Sequence, residues 1–122
     1  MTIREELDTI NAGPGRAYVE QDAESLAAYY TDDARLLFHG APIIRGRAAI
    51  DGTMRDSVAG GPQVLRFETG EVIVDGSLVI DIGAIVGPSS RSKYVAVYQR
   101  QADGSLKIVV DAATSDGMPP AK

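Results

Sequence analysis

Two runs near the C-terminus, Tyr94–Arg100 and Leu106–Ser115, constrain the fold more than any other stretch. Both alternate with a period of two and are rich in β-branched or aromatic residues. The Asp103-Gly104 pair between them supplies a turn that tolerates positive φ, so the runs predict an antiparallel hairpin. On the first strand Val95, Val97 and Gln99 share one face, and Tyr94, Ala96 and Tyr98 the other. On the second, Val109, Asp111, Ala113 and Ser115 oppose Ile108, Val110, Ala112 and Thr114. A carboxylate among apolar neighbours on an inner strand is costly to bury without a partner, which makes Asp111 the first candidate for chemistry or ligand recognition.

The N-terminal half has helical spacing. Thr2 and Glu5 form a capping box ahead of Ile3, Leu7 and Ile10, and the pattern resumes at Ala17, Tyr18 and Val19 after Gly13-Pro14-Gly15. An internal proline costs about 3 kcal/mol and each glycine up to about 1 kcal/mol, so the predicted kinked helix needs a reason to tolerate this interruption. Asp22 caps a short helix, Ala23–Tyr30, and a strand follows at Arg35–Phe38. A third helix spans Arg47–Val58 and stops at Gly60-Gly61-Pro62. Strands are predicted at Val64–Val74 and Leu78–Val86, with a polar loop at Gly87–Ser92. Helices first and a strand meander afterwards make the chain α+β, one domain over residues 1–116 with a frayed tail, 117–122.

Composition excludes several function classes. A net charge of −5 with no basic stripe argues against nucleic acid. The absence of cysteine removes disulfides, thiolate metal sites and cysteine nucleophiles, and favours an intracellular, cytoplasmic setting. No apolar run is long enough to cross a membrane. His39 is the only histidine, so no multi-histidine metal site exists and no metal or other cofactor is expected.

The run Asp22-Ala-Glu-Ser-Leu-Ala-Ala-Tyr-Tyr-Thr-Asp-Asp-Ala34 resembles the second-helix signature of the SnoaL-like branch of the NTF2-like superfamily. Ile44–Ile50 resembles that branch's approach to the third helix. Lys93–Gly104, Lys107–Asp111 and Ser115-Asp116 resemble its closing hairpin and exit. The resemblance implies a cone: a curved antiparallel sheet wrapped around N-terminal helices, with an internal pocket and homodimers formed through the outer sheet face. It also invites comparison with the family's ketosteroid isomerases, which use an aspartate base with a tyrosine and a protonated aspartic acid. Matching positions puts Pro14, Phe38 and Val97 in those three places, none able to exchange a side-chain proton. Family-type steroid isomerisation is therefore not expected.

The resemblance further implies that Val79, Asp81, Gly83 and Ile85 face the interior, with Val95, Val97, Gln99, Asp111, Ala113, Ser115, Leu36 and Phe38. Where relatives carry large aromatics this chain has Ile85, Leu106 and Ala113, and its third helix has Gly52, Thr53 and Met54. With only 6% aromatic residues, the pocket is expected to be trimmed and roomy. The expected ligand site comprises Pro14, Tyr18, Leu36, Phe38, Met54, Asp81, Gly83, Ile85, Val97, Gln99, Asp111 and Ala113. Gly83 would let a ligand approach the backbone, and Asp81 and Asp111 would share a proton if close. Each carboxylate could instead simply hydrogen-bond a tyrosine, arginine or water. The leading expectation is a non-catalytic binder of a steroid- or sterol-sized hydrophobic molecule, and the broken helix and trimmed pocket also fit redesign of a natural scaffold. The alternative is a SnoaL-like isomerase, cyclase or hydrolase with Asp111 or Asp81 as general base.

Overall fold

A computed structural model describes residues 1–116; the expected tail at 117–122 lies outside the described residues. The elements are α1 (Ile3–Glu20), α2 (Ala23–Ala27), β1 (Tyr30–Phe38), β2 (Ile44–Arg45), α3 (Arg47–Ala59), β3 (Arg66–Asp75), β4 (Leu78–Val86), β5 (Arg91–Arg100) and β6 (Leu106–Ser115). The six strands form one curved, unclosed sheet in the order β2-β1-β6-β5-β4-β3. Its pairs are antiparallel except β1 with β6, which run parallel. The helices pack against the concave face, giving the α+β cone of the NTF2-like fold. Among the described residues no helix is long and apolar enough to cross a membrane.

Local chemistry accounts for most boundaries. The Thr2–Glu5 capping box forms in both directions, and the Asp22 side chain accepts from the Ser25 N–H at the start of α2. Helix α2 is shorter than expected because Tyr30 already belongs to the sheet: it pairs with Ile108, whose N–H donates to the Tyr29 carbonyl. β1 therefore starts five residues before the predicted Arg35, and the Thr31–Ala34 stretch is accommodated by a register shift.

Helix α1 runs unbroken through Gly13-Pro14-Gly15, and packing supplies the reason. A Cβ at Gly13 would collide with the Tyr29 hydroxyl, and one at Gly15 would lie 2.6 Å from the Leu65 carbonyl oxygen. Both glycines thus let other backbone or side-chain groups lie directly on the helix. The two glycines are thereby accounted for by contacts within the fold.

The sheet corrects the expected facing of β5. Tyr94, Ala96 and Tyr98 are buried, while Val95 and Gln99 are exposed and Val97 lies on their outer face. Register explains this. Gly83, Tyr94 and Ala113 are cross-strand partners, as are Asp81, Ala96 and Asp111, and paired residues share a face. With Asp81, Gly83, Asp111 and Ala113 inside, Tyr94 and Ala96 must be inside too. A β-bulge at Val109 then lets Ile108 face inward along with Asp111, because Val97 pairs with Val110 but Tyr98 with Ile108.

Replacing Gly15 by alanine tests the close approach to Leu65. Alanine favours a helix interior over glycine by roughly 1 kcal/mol, yet the collision should make Gly15→Ala less stable by about 1–3 kcal/mol. A urea titration followed by helix signal reads the sign. A more stable variant would show that the Leu65 backbone yields.

Candidate functional site

A cavity of about 110 Å³ lies between the helices and the concave face of the sheet. Helix α1 contributes Ile10, Asn11, Pro14 and Tyr18; α2 and the residues after it contribute Leu26 and Tyr29; α3 contributes Met54. The sheet side supplies Tyr30 and Phe38 from β1, Leu65 and Phe67 at β3, and Ile85 from β4. It is completed by Tyr94, Ala96 and Tyr98 from β5, and Ile108, Asp111 and Ala113 from β6. The chain has five tyrosines and two phenylalanines, and every one of them lines this space. Low aromatic content therefore does not mean an aliphatic pocket.

Of the twelve expected site residues, the structure brings seven to the cavity: Pro14, Tyr18, Phe38, Met54, Ile85, Asp111 and Ala113. Val97 and Gln99 are corrected to the opposite sheet face, for the register reason given above. Leu36 is fully buried in the core cluster and does not line the cavity. Gly83 faces inward, but the Tyr94 hydroxyl and the Glu68 carbonyl occupy the space beside it, leaving no room for a ligand. Gly52 is exposed and Leu106 is buried in the core, so neither enlarges the cavity.

Asp81 is fully buried and engaged. It accepts from the Gly70 N–H at 3.0 Å, the Tyr94 hydroxyl at 2.6 Å and the Asn11 amide at 3.2 Å. Gly70 sits in a β-bulge of β3, so this carboxylate ties a bulge, a helix and two strands together. Asp81 and Asp111 flank Ala96 on either side, which places their Cα atoms about 10 Å apart across two strand spacings. That separation removes the expected shared proton.

Asp111 is the carboxylate that meets the cavity. Its Oδ2 accepts from the Tyr30 hydroxyl at 2.7 Å, and burial pushes its pKa up to about 6 against the opposing pull of that hydrogen bond. Burial, reinforced by the Asp111 charge, in turn raises the Tyr30 hydroxyl well above its ordinary value. Tyr98 is raised first by burial and then by Asp111. At the helix side the Tyr18 and Phe67 rings stack with centroids 6.1 Å apart. The cavity is therefore a small, largely apolar space with one carboxylate whose pKa burial raises to about 6.

Sequence reasoning missed Tyr29, Tyr30, Tyr94 and Tyr98, along with Phe67 and Leu65. The signal that would have found Tyr94 and Tyr98 was cross-strand consistency with Asp81 and Asp111, since both hairpin faces are apolar enough to be interior.

The pH dependence of stability follows from Asp111. Below the ordinary carboxyl range, folded and unfolded chains both hold the proton; between about pH 4 and 6 the unfolded chain releases it first. Asp111 thus withdraws stability as pH rises through that window, by up to about 3 kcal/mol. Asp111→Asn keeps an oxygen for Tyr30 and removes the titration. It is expected to be more stable than the parent at pH 7, with the advantage vanishing towards pH 4; melting curves that stay parallel across this range would contradict the assignment.

Comparison with known proteins follows from this geometry. A model of the SnoaL-like domain matches residues 16–110. No match was found among curated proteins. Among solved structures, the chain is similar to an NTF2-like protein with a cystatin-like fold from Novosphingobium aromaticivorans, at 23% identity and a TM-score of 0.69, covering 94% of this chain and 83% of that one. It is similar to a ketosteroid isomerase-like protein from Erwinia carotovora, at 17% identity and a TM-score of 0.72, over 96% of this chain and all (100%) of that one. A Mycobacterium tuberculosis protein of unknown function matches at 22% identity and a TM-score of 0.76, over 93% and 76% of the two chains. At these identities the structural likeness speaks to the fold alone.

Proposed function

The chain belongs to the SnoaL-like family, and we propose that its cavity binds a small, mainly apolar molecule of single-ring size. The observation that carries this reading is the cavity itself: about 110 Å³, walled by all seven aromatic side chains, with Asp111 on its surface. Ligand sites of this make-up combine an apolar wall with a few placed polar groups. The steroid size expected from the sequence is revised downwards. A cavity of about 150 Å³ is known to take benzene, and drug-sized pockets start at about 300 Å³. Tyr94 and Tyr98, turned inward, occupy the room that a trimmed pocket would have offered.

Benzene is the direct probe. It should bind with micromolar to millimolar affinity and raise the melting temperature in proportion to concentration. Ala113→Leu, which projects a larger side chain into the same space, should abolish that rise while the fold is retained. An unchanged melting temperature in saturating benzene would overturn the reading.

A second reading is favoured by the placement of Asp111 in the cavity wall, where burial raises its pKa to about 6. A carboxylate so placed suits general-base removal of a proton near neutral pH. The two readings part at Asp111→Asn, which leaves benzene binding intact under both but removes turnover only under the second.

We also propose that the protein pairs with a second copy through the outer sheet face. Ile82, Val95, Val97, Val110 and Ala112 lie on that face, a smaller and more aliphatic surface than the tyrosine-bearing one expected from the sequence. Light scattering should give twice the 12.9 kDa chain mass at micromolar concentration; a monomer throughout would count against it. The absence of cysteine supports an intracellular setting for this binder.

A further inference from the structure

Among the tyrosines of the cavity, Tyr98 stands apart. It is 2% exposed, yet among the described residues its hydroxyl makes no hydrogen bond. The other buried tyrosines are engaged: Tyr30 donates to Asp111, and Tyr94 donates to Asp81. No buried side-chain nitrogen or oxygen among the described residues is sealed off without a partner, so the Tyr98 hydroxyl keeps some open surface, and Tyr98 is one of the residues lining the cavity. Leaving a buried hydroxyl unpaired is unfavourable, and native structures pair such groups with protein, water or ligand.

Asp111 has the complementary property. Tyr30 holds one carboxylate oxygen, Oδ2, and the other makes no hydrogen bond among the described residues and is likewise not sealed off. Asp111 and Tyr98 line the same cavity and interact electrostatically. Tyr29, whose hydroxyl makes no hydrogen bond among the described residues, lines it too. A largely apolar and aromatic space thus carries hydroxyl donors and one open carboxylate acceptor, beside Asn11, whose amide is engaged by Asp81 and Tyr94. In the free protein water can satisfy both kinds of group; a purely apolar ligand would displace that water and leave them bare.

We propose that the cavity recognises a small ring bearing both a carbonyl-type acceptor, which accepts from the Tyr98 hydroxyl, and a hydroxyl or N–H donor, which donates to Asp111. This rests on the reading of the cavity as a binding site and adds the polar chemistry of its ligand. It makes Tyr98 a specificity-determining residue, because a site built to hydrogen-bond a polar group rejects the analogue lacking it.

Three probes of similar size test it: benzene, cyclopentanone and 2-pyrrolidinone, which carry no polar group, an acceptor, and an acceptor with an N–H. Each is titrated into the parent protein and Tyr98→Phe, which keeps the ring and removes only the hydroxyl. The expected result is a loss of about fivefold or more in affinity for cyclopentanone and 2-pyrrolidinone, with benzene changed by less than about twofold. Infrared spectroscopy of bound cyclopentanone gives a second readout. Its carbonyl stretch should lie at lower frequency in the parent than in Tyr98→Phe, which tests the hydrogen bond apart from affinity. If benzene binds but Tyr98→Phe alters neither carbonyl affinity nor frequency, this assignment fails and the cavity reading stands. If none of the three binds, the polar groups hold water only and both fail. Should Tyr98→Phe melt early, the carbonyl frequency in the parent, compared between cyclopentanone bound and free, still decides whether a donor meets it.

Discussion

The arrangement depends on a carboxylate locked into hydrogen bonds. Asp81 is fully buried and accepts from three donors on three different elements: the Gly70 N–H in the β3 bulge, the Tyr94 hydroxyl and the Asn11 amide. Burying a carboxylate is tolerable only with such saturation, and removing any partner would strand the rest. Each of these bonds also fixes a position. Asn11 sets how α1 lies over the sheet, and Gly70 holds the bulge. Tyr94 is drawn across Gly83, where a side chain would collide with it. The cavity wall that Asn11 and Tyr94 provide is therefore a by-product of satisfying one buried carboxyl group.

The two aspartates divide the work by environment. Asp81 is surrounded by donors and sits inside the packed sheet–helix junction. Asp111, two strands away across Ala96, receives its hydrogen bond from Tyr30 and meets open space. Burial without saturation is what lifts its pKa to about 6, and it is also what leaves it available. Identical side chains on one sheet face thus end up differently placed, one saturated with donors and one facing open space.

Much of this was legible in the sequence. The capping box at Thr2, the cap at Asp22, and the limits Leu78–Val86 and Leu106–Ser115 follow from short-range chemistry, and they coincide with the structure. Asp111 stood out because a lone carboxylate in an apolar strand must be explained. The facing of β5 was not legible from its own pattern, since Tyr-Ala-Tyr and Val-Val-Gln are both plausible interiors. Only the ladder to β4 and β6 decides between them, and a ladder is a long-range property. The aromatic cavity was hidden for a related reason. Its seven rings come from α1, the link after α2, and strands β1, β3 and β5, so no window of sequence shows them together. The glycines of α1 looked like a defect until their neighbours, Tyr29 and Leu65, were in place.

The bulge at Val109 carries a consequence of its own. With one residue looped out of the ladder, inward positions on β6 fall at Ile108 and then Asp111, three apart rather than two. The strand thereby changes phase at a single point: greasy contact on one side of it, polar contact on the other. Deleting that one residue would leave composition, charge and length almost untouched. It would nonetheless put either the 106–108 half or the 111–113 half out of step with β5, turning Asp111 to the convex surface or exposing Ile108. The polarity of the cavity is thus stored in a counting offset of one residue, and shifts of alignment at this point would alter its wall more sharply than most substitutions could.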